Sequence, residues 1–471
     1  MGVFLGGRTM KLTNRLSCLR CRGSVLIVSM IFVVMFSALV VSMATIAGTN
    51  VQIATNQHNV NCARVSAESG HQIIRNWLSH TSISGTTAQE LRLSGIANSF
   101  QSAADVISNV TLSYDSSSIT VPSVILDSAS EQSFSAVITQ VDPNTLQADI
   151  TGVYGPLSKT IRVNYEFAER ANTVFDFAVA SKGPLSLEGN VELEGVNVSV
   201  ESNVYIESGN SALALSITGN SQIAGEVSIA NSLASVYLQG ANAGIGGETG
   251  QDAIDNHVSF GVPPSEFPEP NPSYFEHYVT NVVDANTDTG ADATFENIRI
   301  AAGTNPNFTG QVTLNGVVFI EAPNVVTFSG DTTITGLIVA NGDLNDDSGT
   351  NQVNFSGNVS SHPVSELPQE DQFAQLRNET GTFLIAPGFS ASFGGNFATL
   401  NGSIAANGIR FHGNAGGIIN GSVINYADTE VEITGNSDLS FNRSGITQVP
   451  AGFVPELILQ YDPTSYSETP L

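Results

Sequence analysis

Phe308-Thr309-Gly310 followed by Leu314-Asn315-Gly316-Val317-Val318-Phe319, then Phe328-Ser329-Gly330 followed by Ile334-Thr335-Gly336-Leu337-Ile338-Val339, decide the fold of this chain. The second passage repeats the first with its central glycine 20 residues further on. Phe393-Gly394-Gly395 before Leu400-Asn401-Gly402-Ser403-Ile404-Ala405, and Phe411-His412-Gly413 before Ile419-Asn420-Gly421-Ser422-Val423-Ile424, repeat it again with glycines 19 apart. A period near 20 with two or three short strands per period is the signature of a parallel β-solenoid. Each coil must turn sharply, and Gly or Asn reaches the left-handed conformations such corners need. Between corners, alternate apolar residues point inward and stack on the coil below. Val318, Ile338, Ile404 and Val423 follow equivalent glycines, so they are expected in one interior column. Strand alternation is expected to turn Thr335 and Ser403, or their immediate neighbours, outward, which predicts that a charge at Ser403 is tolerated. The competing architecture is a sandwich or barrel, with hairpin turns and less regular rungs.

Outward from this core, Gly-Asn pairs punctuate short apolar runs from about residue 183, at Gly189, Gly209, Gly219, Gly357, Gly395, Gly413 and Gly435. The solenoid is placed at 173–446, with excursions at 241–295 and 361–381. The first excursion is rich in proline (Pro263, Pro264, Pro268, Pro270, Pro272). The second reads as a short helix over 365–380. Long insertions in repeat folds either carry binding surfaces or cover the side or end of the stack. Residues 447–471 read as a C-terminal tail. Before the solenoid, 85–172 reads as a small α+β domain. A helical patch over 88–107 precedes alternating segments at 110–114, 118–121, 134–140, 146–153 and 160–167, with Asp142-Pro143-Asn144 as a hairpin turn.

Further N-terminal, Ser24 to Ala47 is an uninterrupted uncharged apolar run. At about 1.5 Å per residue it makes a helix of roughly 35 Å, enough to cross a bilayer core. Arg8, Lys11, Arg15, Arg20 and Arg22 precede it, with no acidic residue among 1–23. Positive charge stays inside, so the reading is a basic cytoplasmic leader (1–23), a transmembrane helix (24–47) and everything beyond it exported. A cleaved secretory signal ending near Thr45-Ile46-Ala47 is the alternative, but typical apolar regions of such signals span only about 7–15 residues. Residues 48–84 read as an amphipathic stem, because Ile53, Val60, Ala63, Ala67, Ile74 and Leu78 recur at helical spacing.

A basic leader, then Arg22-Gly23-Ser24, then a long apolar helix continuing as a stem, resembles the type IV pilin-like proteins. Val28 stands where major pilins carry an acidic residue. With Val65-Ser66-Ala67-Glu68-Ser69-Gly70, the pattern is more similar to PilX-type minor or accessory pilins. The resemblance covers about residues 10–80, with looser similarity to about 180. It implies leader processing between Gly23 and Ser24, and packing of the N-terminal helix against other pilin-like subunits. The fold class expected is therefore mainly β: an N-terminal transmembrane and stem α-helix, a small α+β pilin-like domain, then a parallel β-solenoid of right-handed β-helix type. The function implied is a structural or assembly component of a type IV pilus or related secretion fibre. It would be single-pass in the inner membrane, N-in and C-out, with its exported part periplasmic or on the cell surface. A membrane-tethered β-helix adhesin or polysaccharide-processing enzyme is the alternative, with surface glycans as partner.

Charge narrows the partners. The chain carries 16 Lys and Arg against 43 Asp and Glu, a net charge of −27. Such a surface repels phosphate backbones, so nucleic acid is not expected as a partner. Catalysis is not expected either. Solenoid glycan lyases need clustered carboxylates with a cation, and from 183 onward only Arg299, Arg377, Arg410 and Arg443 are fully charged cations, each in a different repeat. Cys18 and Cys21 form an isolated C-x₂-C in the leader, short of a zinc ligand set. Cys62 stands alone, so the exported part relies on packing and not on disulfides. No cofactor is expected. The one metal candidate is Ca²⁺ at Asp343-Leu344-Asn345-Asp346-Asp347, where Asp343, Asn345 and Asp347 alternate oxygen ligands. A solvated acidic turn is the simpler reading, since the Gly and final Glu of an EF-hand loop are missing.

Overall fold

The computed structural model describes residues 22–108, 110–444 and 448–469. The leader residues 1–21, with Cys18 and Cys21, lie outside them. The chain is mainly β, with one long N-terminal helix and several parallel sheets. It divides into two compact units. One comprises the described parts of Met1–Trp77, Ala104–Tyr165 and Tyr461–Leu471, and the other Leu78–Ala103 and Glu166–Gln460.

In the first unit, helix α1 (Arg22–Ser79) is followed by an antiparallel meander. Its strands Ser118–Asp127, Gln132–Asp142 and Thr145–Tyr154 pair in sequence order. Asp142 accepts the Asn144 N–H at 2.8 Å and so closes the expected turn. Ile119, Val121, Phe134, Ala136, Ile138, Leu146, Ala148 and Ile150 are buried, every second residue along their strands, as one covered face requires. The helix lies close on this face. A Cβ at Gly152 would collide with the backbone of Ala63 and Ala67, so only glycine admits this approach.

Three expectations need correction here. The block 85–172 is not one domain: its residues 85–103 and 166–172 fall in the second unit, and a separate pilin-like α+β domain is not evident. The stem helix ends at Ser79, and Ser82–Ser84 is already a strand. The supposed C-terminal tail holds a 13-residue strand, Glu456–Glu468, paired antiparallel to Ser82–Ser84. The alternation of Leu457 and Leu459, both buried, was the missed signal.

The second unit contains helix α2 over most of its length (Arg92–Ser108) and three parallel sheets of 12, 9 and 7 strands. Over 179–249 and 390–441 successive stretches of chain visit the three sheets in turn, whereas over 293–393 the chain passes only between the first and second sheets. In the first sheet Ile298, Val318, Ile338, Leu384, Ile404, Val423, Val179, Val204, Val227 and Val258 are register partners in that order. The interior column therefore contains the four expected residues, with Leu384 between Ile338 and Ile404. In the second sheet the rings of Phe308, Phe328, Phe355, Phe393 and Phe411 stack at 4.9–5.1 Å with interplanar angles of 12–13°. Offset stacking at this spacing adds to the area each ring buries. Phe355-Ser356-Gly357 repeats Phe328-Ser329-Gly330 and completes the series.

The order in that column departs from the order in the chain. The strand Val179–Ser181 is central and pairs with both Val204–Ile206 and Val423–Asn425. The chain starts mid-stack and builds to one end at Val258–Phe260. It resumes at the opposite end with Asn281–Val283 and returns. Residues 261–280 make the transfer. Ten strand spacings of about 4.8 Å come to roughly 48 Å. Thirteen extended residues at about 3.3 Å each and the seven of the 3-10 segment Pro272–Tyr278 at about 2.0 Å reach roughly 57 Å, enough for the crossing. The excursion set at 241–295 is thus too wide. Gly244–Ile245, Val258–Phe260 and Ala293–Ile300 are strands of the sheets, too short or too polar to read among the glycines and prolines. Helix α3 (Gly250–His257) packs against the terminal strands at that end. The expected helix over 365–380 is instead three single 3-10 turns, since Pro368 interrupts the run.

The first sheet is apolar on both faces. Val317, Phe319, Leu337, Val339, Ile385, Ala405 and Ile424 form a second cluster with Phe275, Tyr278, Val364, Leu367, Phe373, Leu376 and Phe453. Its outer face is therefore covered by the transfer segment, the 3-10 turns and residues near 453. This overturns the outward placement of Ser403. Ser403 to Ala406 are all buried, because neither face of their strand meets water. Ser403 Oγ accepts the N–H of Ser422 at 3.2 Å.

Candidate functional site

Helix α1 is the most unusual surface of the molecule. Val25 to Asn61 is exposed except for the half-buried Asn59 and Val60, and from Gly23 to Ala63 no residue carries a fixed charge. Among the described residues it is the one helix long and apolar enough to cross a membrane. Apolar side chains are bare over its first half: Ile31 and Phe32 are each 53% exposed, Val34 66%. Packing begins only at Ala63, and Ile53 is exposed, so the covered stripe is shorter than the sequence spacing suggested. Gly23 and Ser24 stand in the first turn of α1.

Between the apolar run and Ala63, residues 48–62 carry Asn50, Gln52, Asn56, Gln57, Asn59 and Asn61. The Cys62 thiol lies 3.6 Å from the His58 ring one turn back. Past Ala63, charge appears. Arg64 pairs with Glu68 at 3.0 Å and Glu468 at 3.6 Å, while Lys159 reaches Glu468 at 3.3 Å. His71 is buried against Tyr461, ring centroids 4.8 Å apart. Burial, and then the Arg75 charge, hold its pKa below the usual histidine value.

The acidic turn is engaged locally. Asp343 Oδ1 accepts from the backbone and side chain of Asn345 at 3.0 and 3.2 Å. Asp347 Oδ1 accepts from the buried Asn407 at 2.7 Å. The same spacing recurs at Asp284, Asn286, Asp288 and Gly290, a repetition the sequence reading passed over. There too the first carboxylate accepts the N–H two residues on, at 2.9 Å. Among the described residues no three His, Cys, Asp or Glu side chains converge as metal ligands. The four arginines beyond residue 183 also serve locally. Arg299 pairs with Glu321 at 2.7 Å and Arg410 with Glu432 at 2.9 Å. Arg377 donates to the Pro368 carbonyl, and Arg443 lies 3.8 Å from Asp176.

No protein-family profile matches this chain, and no curated protein matches it. Among solved structures it is similar to the competence-associated pilin ComZ from Thermus thermophilus, with 10% identity over 87% of this chain and 97% of that one and a TM-score of 0.26. A likeness that slight carries no argument. The apolar helix by itself fits a pilin-like stem and a single membrane span.

Proposed function

We propose that this chain is a PilX-type accessory pilin-like component of a type IV pilus or related secretion fibre. It is held in the inner membrane by α1, N-in and C-out, and displays an acidic parallel β-solenoid outside the cytoplasm. The three parallel sheets with their continuous interior columns support the solenoid part of this reading.

One observation carries the assembly role: the length of the bare, uncharged helix. Residues 25–62 run about 57 Å, whereas a bilayer core needs about 30 Å. A simple anchor would end in charge at the membrane surface. Here a further stretch of uncharged, amide-rich helix stands exposed on all sides before the folded part begins. Neighbouring helices of like subunits would cover it, with amide side chains bonding across the interface. No catalytic role is assigned.

Mass spectrometry of the mature N-terminus tests the reading. Cleavage after Gly23, with α1 retained, is the expected product, and Gly23→Leu should leave the precursor intact. A mature chain starting near Gly48 would mean an ordinary signal peptide and end the proposal. Val34→Arg should abolish membrane retention or assembly, since a central charge costs about 2.5–3.5 kcal/mol on insertion scales. A tethered adhesin is the second reading, and the open face of the second sheet favours it.

A further inference from the structure

The outward faces of the first and second sheets differ. Apolar segments cover the first. The second shows water a column of polar side chains in register: Asn307, Thr327, Asn354, Ser392, Arg410, Glu432, Ser186, Ser216 and Tyr237. Midway along it the face dips into a depression of about 360 Å³ spanning four strands. The floor is made by small groups, Ser390, Ser392 and Gly408. Gln352 and Asn354 stand on one side, with the Asn354 amide donating to Gln352 at 3.2 Å. Arg410 and Glu432, ion-paired at 2.9 Å, stand on the other, with Glu430 beside them. Two hydrogen-bonding walls thus face each other over a floor of hydroxyls.

The chemistry of the walls selects the ligand. An anion is disfavoured, because Glu432 neutralises the single cation and Glu430 adds negative charge. An extended peptide would need free backbone groups, and every strand here is already paired on both sides. A flat apolar ligand would need aromatic walls, and the lining has none. What remains is a neutral molecule dense in hydroxyls. Amide, guanidinium and carboxylate groups each offer paired donors or acceptors in a plane, which suits the adjacent hydroxyls of a sugar ring. The volume lies at the small end of ligand sites, which run from about 300 Å³ upward.

We infer that this depression binds one or two rings of a neutral carbohydrate. The inference stands apart from the pilus reading: the maturation product can fail while sugar binding holds, and the reverse. The test is isothermal titration of the full-length protein in detergent micelles with maltohexaose, cellohexaose and mannohexaose, and with hexagalacturonate as the charged comparison. At least one neutral oligosaccharide should bind. The Gln352→Ala/Asn354→Ala double variant and Arg410→Ala should each weaken it at least tenfold. Ser216→Ala, on the same face two strands beyond Glu432, should leave it unchanged. Thermal unfolding midpoints matching the parent's would show that the wall variants fold. Binding of the charged sugar alone, no neutral sugar bound, or full affinity in both wall variants would overturn the inference.

Discussion

The two runs of the parallel region fill the same interior with different side chains. In the outgoing run, Leu187, Ile217 and Leu238 occupy the column of the second sheet. In the returning run that column is phenylalanine from Phe308 to Phe411, and Ile433 joins the two. The first-sheet column is aliphatic throughout, yet its sequence spacing differs. Val179, Val204, Val227 and Val258 are 25, 23 and 31 residues apart, whereas Ile298, Val318 and Ile338 are 20 apart. Stacking requires only that the right side chain return to the column. The connection between returns can lengthen at small entropic cost. A constant period is therefore not necessary for this architecture.

The largest expected effect separates the two columns. Phe355→Ala removes a ring stacked at 5.1 Å on Phe328 and 4.9 Å on Phe393. It leaves a cavity in the middle of the ladder and should cost about 4 kcal/mol. Leu187→Ala, at the corresponding place in the outgoing run, should cost about 3 kcal/mol. Unfolding of the two full-length variants, compared by denaturant titration, checks this. Equal losses would mean that neither the larger volume of the ring nor its stacking adds to what a leucine contributes.

The same contrast explains what the sequence disclosed. The returning run was legible because Phe-x-Gly recurs before each apolar strand at nearly fixed intervals. The outgoing run showed only Gly-Asn corners, and its short strands at Gln222–Ile223 and Gly244–Ile245 fall below any periodicity window. That the chain begins mid-stack was invisible, because pairing Val179 with Val423 is a contact between distant segments that no local pattern encodes. The bare helix was plain from composition alone. The sugar-sized depression was not, since it depends on which small residues of separate repeats become neighbours.

The next effect in size tests two-sided burial. Ser403 was expected to face water by simple alternation. Gly402 just before it has φ +133°, and the strand that follows is covered on both faces. Ser403→Asp should therefore cost about 2–3 kcal/mol, from a buried carboxylate with no cation beside it and only the Ser422 N–H to bond. Ser216→Asp, on the open face of the outgoing run, should cost under about 0.5 kcal/mol. If Ser403→Asp is as mild as Ser216→Asp, the cover over the first sheet is not in place.

The smallest effect concerns the corners. In the outgoing run the amides of Asn190, Asn220 and Asn242 form a ladder. Asn190 donates to Asn436 at 3.0 Å, Asn220 to Asn190 at 2.9 Å and Asn242 to Asn220 at 3.2 Å. The ladder continues from one run into the other, so it is the polar counterpart of the interior columns. All these amides are exposed, and water can replace any one bond. A net bond of this kind contributes about 1 kcal/mol when sheltered and less in water. Asn220→Ala removes one donated and one accepted bond and should cost about 0.5–1 kcal/mol, while Asn220→Asp should cost more than Ala. An aspartate keeps an acceptor for Asn242 but sets a carboxylate against the Asn190 carbonyl oxygen, which now faces no donor. Denaturant midpoints for the two variants decide the point. Were Asp no worse than Ala, the amides would be loosely oriented in water, and the corners would owe their order to the glycines beside them.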